Sequence, residues 1–414
     1  MKSKRSPSAS GPEDGVGTAH LRLSDLRGFQ RLANDATVGL TDLVEAMHHT
    51  IAHTPGPLGT SPTGRTRGIT GLVYRSVRGV TRVVGVGVDA LLGALAPMIA
   101  DKRSSQEREA VLAALNGVLG DYLAASGNPL AIPMSLRIAG SALALDRAAL
   151  AQAFAAPARH VLVLVHGLCM NDLQWNREGH DHGAALARDP GCASLYLHYN
   201  SGRRIAENGR EFAALLDALV REWPHPIERL TIVGHSMGGL VARSACHYAA
   251  LAGHAWTERL RDLVFLGTPH FGAPMERAGA RADYLLGISP YTAPFARLGK
   301  VRSAGIKDLR HGTLRDEARR ADDPVPLPAG VRCYSIAASL QRRPSSATRI
   351  RGDGLVPVMS ALGLHRDAAR SLGMPESRRW VGYDMGHLDL LCRPEVHERI
   401  RGWLAAARTK RAGD

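Results

Sequence analysis

No run of about 20 uncharged apolar residues occurs in the 414-residue chain, which argues against a simple membrane span and a polytopic membrane protein. The most apolar stretch, Val83 to Ala100, is interrupted by Asp89, follows Arg82 and carries Pro97 near its end. Cysteine is scarce: Cys169, Cys192, Cys246, Cys333 and Cys392 are widely spaced, odd in number and never in a C-x-x-C pair. A disulfide framework or a zinc knuckle is therefore not expected, and reduced thiols fit better. Lysine is scarcer still beside arginine. Of 52 basic residues only Lys2, Lys4, Lys102, Lys300, Lys307 and Lys410 are lysines, so the formal +14 is carried by guanidinium groups. The arginines are dispersed and come with no helix-turn-helix, RNP or zinc pattern, so nucleic acid is not expected as a partner. Met1 to Thr18 has no apolar core and reads as a disordered tail rather than a signal peptide, which implies a cytoplasmic address. What is present is an ordinary globular balance, 45% hydrophobic and 22% charged, enough to build a sizeable core.

The pattern changes near residue 130. Before it the apolar residues recur at steps of three and four. Leu23 to His53 carries Leu26, Phe29, Leu32, Ala36, Leu40, Leu43, Val44, Met47 and Ile51 on one stripe. A loop with Pro55, Pro57 and Pro62 follows, then a second helical region over Ile69 to Ala100. That region reads as a buried packing helix, with a helix lying on a membrane, or a close interface through Gly79, Gly85, Gly87 and Gly93, as the alternative. A third helix, capped by Ser104 or Ser105, runs to about Ala125. After Met134 short apolar runs alternate with helical patterns. Val161–Val165 (VLVLV) is the run expected of a strand buried on both faces, and Ser194–His198, Leu230–Val233, Leu263–Leu266, Val331–Ile336 and Arg379–Val381 follow. Such alternation argues for an α/β class with a mostly parallel sheet and helices on both faces. The expected organisation is a tail over 1–20, a helical extension over 21–130 and an α/β domain over 131–409.

The sharpest chemical signal is Leu230 to Arg243, LTIVGHSMGGLVAR. Here G-x-S-x-G, from Gly234 through Ser236 to Gly238, falls between an apolar strand and a helix, the setting of a nucleophile elbow. The turn needs small residues two before and two after the serine. It lifts the hydroxyl to the helix N-terminus, where backbone N–H groups and the dipole favour negative charge. Upstream, His166 and Gly167 end the VLVLV strand. A developing oxyanion needs two backbone N–H donors, and Met237 and Leu168 are the candidates. A serine also needs an imidazole to take its proton. Among 18 histidines His387 is favoured, because it follows the last expected strand in a Gly-His loop. His365 and His397 fit less well, and His235 adjoins Ser236, so its ring should point elsewhere. Asp353, between Gly352 and Gly354 behind the penultimate strand, is the expected acid partner. Asp322 and Asp323 precede that strand, and Asp384 is too near His387.

In the order Ser236, Asp353, His387, with His166-Gly167 upstream, the chain resembles the α/β-hydrolase superfamily, in particular its lipase branch with GPI inositol-deacylase-like proteins and serine lipases. The segments that carry the resemblance are VHGL, GHSMGG, LGTPHFGAP (Leu266 to Pro274), DGLVPVMSA (Asp353 to Ala361) and GHLDLL, within about Met134 to Ala407. The resemblance implies an α/β-hydrolase fold and a helical cap over about 271–325, with apolar Tyr284, Leu285, Leu286, Ile288, Tyr291 and Phe295. It implies a serine carboxylic-ester hydrolase acting on lipidic or acyl esters through an acyl-enzyme, a route that needs no metal or organic cofactor. Acyl transfer or thioester hydrolysis by the same residues is the alternative within catalysis. A membrane- or partner-binding protein with a silent hydrolase fold is the alternative outside it. The positive excess lies mainly beyond residue 155, +10 against +4 before it, and suggests an anionic interface or substrate at the catalytic face and peripheral membrane contact.

Overall fold

The structure is a computed structural model that describes residues 22–53, 65–66, 68–95, 105–154, 156–273, 303–316, 325–342 and 352–409. The expected tail, most of the proline loop, most of the expected cap including Tyr284 to Phe295, and Asp322 and Asp323 lie outside the described residues. The chain divides into two compact units, residues 1–108 and 109–414.

In the first unit, α1 (Leu23–His53) and α2 (Gly68–Leu95) form an antiparallel hairpin. Its seam is polar. Arg27 and Arg31 both clasp Asp89, with contacts of 2.5–2.9 Å. Farther along, Arg78 reaches Asp42 and Glu45, and Thr66 donates to Glu45. Gly85 closes on α1, where Gln30 donates to its carbonyl and Asn34 fills the space a Cβ would take. Of the other glycines expected to mark a close interface, Gly79 and Gly87 face open space. The apolar stripes point outward: Val80, Val83 and Val86 are 65%, 73% and 71% exposed, and Leu26, Leu40, Val44, Leu72, Val73 and Val84 are exposed too. The expectation of a buried packing helix is therefore not met over the described part of α2. Its charged face has the better partners, Asp42 and Glu45 of α1 for Arg78 and Arg27 and Arg31 of α1 for Asp89, and the seam is built from that face.

In the second unit, α3 (Gln106–Ala125) runs ahead of an eight-stranded sheet. Sequence periodicity grouped it with the extension before residue 130, but it packs into the sheet unit. The reason is in its composition: Ala, Leu, Val and Gly cover it on nearly all sides, and a helix apolar all round is a buried helix. Asn116 ties it down, donating to the Leu130 carbonyl and accepting from the Ile132 N–H.

The strands are β1 (Ser135–Ile138), β2 (Ser141–Ala142), β3 (His160–Val165), β4 (Cys192–His198), β5 (Arg229–His235), β6 (Leu260–Leu266), β7 (Arg332–Ser339) and β8 (Arg379–Tyr383). Their order is β2-β1-β4-β3-β5-β6-β7-β8. β1 and β2 form a tight hairpin through Ala139 and Gly140, both at positive φ, and β1 pairs antiparallel with β4. From β4 to β8 every pairing is parallel. The connecting helices are α4 (Arg147–Ala153), α5 (His182–Leu186), α6 (Ile205–Glu222), α7 (Met237–Ala252), α8 (Ala304–His311), α9 (Val358–Ala361) and α10 (Pro394–Thr409). This is the α/β-hydrolase fold that the sequence resemblance implies.

Strand β3 shows why the sheet sits in the middle. Val161, Val163 and Val165 face the layer that holds α6 and α7, while Leu162 and Leu164 face the layer closed by Val396, Ile400 and Leu404 of α10. All five are fully buried, and each such side chain contributes about 1.5–3 kcal/mol relative to exposure. At the opposite end from the site, Asp262 of β6 bridges Arg229 of β5 and Arg332 of β7 and locks three neighbouring strands together.

Candidate active site

The candidate residues all lie beyond the carboxyl ends of parallel strands, where the loops of an open α/β sheet converge. Ser236 follows β5 and precedes α7. Its backbone sits at φ 53°, ψ −122°, a region a serine enters only under constraint. One contact holds it there, and small neighbours allow it. Its N–H donates to the Leu266 carbonyl at 2.8 Å, and the glycines on either side permit the turn. A Cβ on Gly234 would stand 2.5 Å from the Gly239 Cα, and one on Gly238 would stand 2.2 Å from the Val165 carbonyl oxygen. The sequence expectation of small residues at these two positions thus has a steric cause.

Gly167 brings the loop after β3 onto the serine: a Cβ there would lie 3.2 Å from the Ser236 Cβ. Behind it, Tyr199 donates its hydroxyl to the His166 carbonyl at 2.9 Å, and the two rings stack at 4.3 Å. His166 donates from Nδ1 to the Gly167 carbonyl, and burial pulls its pKa down to about 3. It is a neutral strut. The loop then passes Leu168 to Cys169, which is held at φ 58° and donates its N–H to Ser201. The Cys169 thiol is wedged against α3, where a Cβ on Gly117 would stand 2.2 Å from the sulfur. Among the described residues, neither the Leu168 nor the Met237 N–H has a backbone acceptor.

Asp353 and His387 meet directly. His387 Nδ1 lies 2.7 Å from Asp353 Oδ2, and both residues are buried. A carboxylate can only accept here, so Nδ1 carries the proton and Nε2 presents its lone pair. That Nε2 is buried and has no hydrogen-bond partner among the described residues. The other carboxylate oxygen of Asp353 accepts from the N–H groups of Leu355 and Val356, which fixes the side chain. The flanking glycines are required. A Cβ on Gly352 would strike the Val356 carbonyl at 1.9 Å, and Gly354 sits at φ 98°. Gly267, after β6, lets His387 settle, since a Cβ there would lie 3.0 Å from the ring.

The residues weighed as alternatives are elsewhere. Asp384 occupies a turn at φ 56°, its carbonyl bonded by Arg393. His365 packs edge-on against Phe271, and His397 lies on α10 against His180 and His182. His235, adjacent to Ser236, has a place in the site. It donates Nε2–H to the His387 carbonyl at 3.2 Å, and burial holds its pKa well below the ordinary value. Sequence reading also missed a buried network beneath the loop after β3. Arg137 joins Glu109 and Asp172, and His198 lies 3.0 Å from Asp172. Its only sequence signal is polar residues in apolar segments, which spacing alone does not pair. A separate groove runs along β8 and α10, lined by Trp380, Tyr383, Glu395 and Arg399, and includes neither Ser236 nor His387.

Residues 159–338 match the family described as PGAP1-like alpha/beta domain, a span that includes Ser236 and the loop after β3 and ends before Asp353 and His387. No curated protein matches the chain. Among solved structures, a lipase of Bacillus licheniformis in mature form is 18% identical, with TM-score 0.41 over 61% of this chain and 93% of that one. An esterase of Pyrococcus furiosus is 15% identical, with TM-score 0.39 over 60% and 81%. A monoacylglycerol lipase of Paleococcus ferrophilus is 15% identical, with TM-score 0.35 over 61% and 96%. Over residues 159–338 the chain is thus similar to the PGAP1-like alpha/beta domain family, within an α/β-hydrolase fold.

Proposed function

We propose that the protein is a serine carboxylic-ester hydrolase acting on lipidic or acyl esters. The observation that carries the reading is the conjunction of a serine on a strained elbow with a buried His387–Asp353 pair whose outer nitrogen is free. In the first step Ser236 Oγ attacks the ester carbonyl carbon and its proton passes to His387 Nε2. The carbonyl oxygen becomes an oxyanion and accepts from the Met237 and Leu168 N–H groups. Asp353 keeps the imidazole in the required tautomer and stabilises its charged form. The tetrahedral intermediate expels the alcohol, which takes the proton from His387, and leaves an ester on Ser236. Water then attacks that ester, gives its proton to His387, and the acid departs as Ser236 regains its hydrogen. The same residues serve acyl transfer or thioester hydrolysis if an alcohol replaces the water or a thiol is the leaving group.

The substrate surface belongs to the same reading. The outward valines and leucines of α1 and α2 support peripheral contact with a lipid surface. No helix among the described residues is long and apolar enough to cross a membrane.

A fluorophosphonate probe tests the chemistry. The expected result is an adduct mapped to Ser236 and none on Ser236→Ala. Equal labelling of the variant, or none of the wild type, sinks the proposal. A panel of esters of rising acyl length tests the substrate class, and a flat preference counts against lipidic esters.

A further inference from the structure

Away from the serine, three imidazoles converge where the segment before α5 meets α10. One nitrogen from each of His180, His182 and His397 lies within 4.8 Å of the others. His180 Nε2 is 2.8 Å from His182 Nδ1, and the ring of His397 is stacked on that of His182 at 5.7 Å and set edge-on to His180 at 5.1 Å. His182 is fully buried and the other two are half-buried.

We propose that His180, His182 and His397 form a binding site for a borderline-soft divalent transition metal, with zinc as its best-suited occupant. The tautomer of His182 is already the one a ligand needs. Its Nε2 lies 3.0 Å from the Leu390 carbonyl, which can only accept, so Nε2 carries the proton and Nδ1 turns a lone pair to the cluster. A histidine that donates its outer N–H to a backbone carbonyl and offers the inner nitrogen is the usual orientation of a metal-ligating imidazole. His397 Nδ1 is buried and has no hydrogen-bond partner among the described residues. A tetrahedral zinc with ligands at about 2.0–2.1 Å needs nitrogens about 3.4 Å apart. Side-chain adjustments of about 1 Å bring three atoms that lie within 4.8 Å to that spacing. Binding asks His180 to move its proton from Nε2 to Nδ1, a change of tautomer that releases none. Water fills the fourth position.

The donor set selects the ion. Imidazole nitrogens without a carboxylate suit zinc, copper or nickel, whereas calcium and magnesium need oxygens. The adjacent Asp181 is already engaged, accepting from the Tyr196 hydroxyl and the Ala184 N–H. The other buried cluster, Glu109, Asp172 and His198, has the guanidinium of Arg137 in the position a cation would take and carries no such proposal.

The consequence reaches the candidate active site. Leu390, whose carbonyl holds His182, stands three residues beyond His387, and both line the space that the missing side chain of Gly267 leaves. A metal would join the segment after β3 to α10 and brace the turn that carries His387. Its role is to hold that turn, and it takes no part in the ester chemistry.

The test uses the full chain with Ser236→Ala, so that it stands apart from the hydrolase reading. After treatment with a chelator the protein is titrated with zinc and separately with cobalt. The expected result is one saturable equivalent, a visible absorption of tetrahedral cobalt, and a rise in Tm with zinc. His180→Ala and His397→Ala should each weaken binding at least 10-fold and abolish the Tm rise. Absence of a saturable equivalent in the unsubstituted triad of histidines overturns the proposal, and so does unchanged binding by folded His180→Ala. Should His397→Ala fail to fold, the half-buried His180 and the parent titration still decide.

Discussion

Ser236→Ala is expected to lower kcat for ester hydrolysis by about 10⁵–10⁶-fold with the fold intact, measured by steady-state kinetics beside circular dichroism. Asp353→Asn keeps the geometry but offers His387 Nδ1 a donor where an acceptor stood, so kcat should fall about 10⁴-fold. Retention of full activity by either variant removes that residue from the proposed mechanism. Ser236 and its glycines were legible in sequence because the elbow is built by steric exclusion, and exclusion leaves glycine at fixed positions. Asp353 was legible for a similar reason, its two glycines being required by the Val356 carbonyl and by a positive φ. His235 was not. Adjacency to the serine suggested a ring turned away, but no spacing rule reveals that the ring reaches the His387 carbonyl. His235→Asn should shift the His387 turn and lower kcat by roughly 10–100-fold with KM little changed, since small displacements of a reacting group carry costs of this order. A displaced acid limb in the kcat–pH profile would mark it as a positioning residue. An unchanged profile and rate would leave it a packing residue only.

At the scale of elements, periodicity located the helices well and their neighbours poorly. Leu23–His53 is the span that the apolar stripe marked, yet Leu26, Phe29, Leu40 and Val44 of that stripe are exposed. A stripe tells which residues share a face and says nothing of which face is buried. In α1 and α2 the deciding pattern was the opposite one, Arg27, Arg31, Asp42, Glu45, Arg78 and Asp89, whose partners lie 33 to 62 residues apart in sequence. With its charges paired along the seam, this hairpin can present its valines to lipid without carrying those charges with them. Liposome flotation of the full chain should therefore show binding that survives high salt, because apolar contact is not screened whereas charge attraction over a Debye length is. Val80→Asp with Val83→Asp should abolish it. Flotation lost in high salt would assign membrane contact to the arginines instead, and no flotation at all would remove the lipid surface from the proposal. α3 is the converse case. Its near-uniform apolar surface marked burial, but the partner of Gly117, the loop at Cys169, lies 52 residues on and no repeat pattern names it.

For the molecule as a whole, the alternation of short apolar runs with helical segments was sufficient to give a mostly parallel sheet, since strands buried on both faces must read as continuous apolar runs. The order of those strands and the antiparallel start are set by long-range pairing and were not legible. A consequence of so complete a burial is sensitivity to acid. His166, His235 and His270 are buried, and burial is the largest cause that pulls the pKa of each far below its ordinary value of about 6.5. The neighbouring cations, Arg137 near His166, Arg177 near His235 and Arg243 near His270, act in the same direction, while the backbone hydrogen bonds of His166 to Gly167 and of His235 to His387, and Asp172 near His166, oppose them without overcoming burial. The sign follows from linkage. Well above pH 6.5 these rings are neutral in both folded and unfolded chains and stability is unaffected. As pH falls through 6.5 the unfolded chain takes up protons that the folded chain refuses, for His166 until about pH 3, so stability is lost through that window. At about 1.4 kcal/mol per pH unit, His166 alone costs about 1.4 kcal/mol by pH 5.5, and His235 and His270 add to it in the same direction, against the 5–15 kcal/mol typical of a domain. Urea midpoints measured at pH 7.5, 6.5 and 5.5 should fall slightly from the first to the second and more steeply to the third. His270→Asn, which removes one of the three titrations, should lessen the fall between the last two even if it lowers all three midpoints. A midpoint that stays level down to pH 5.5 would show that these rings take up protons in the folded chain, and that the layers around them admit charge as the described packing does not.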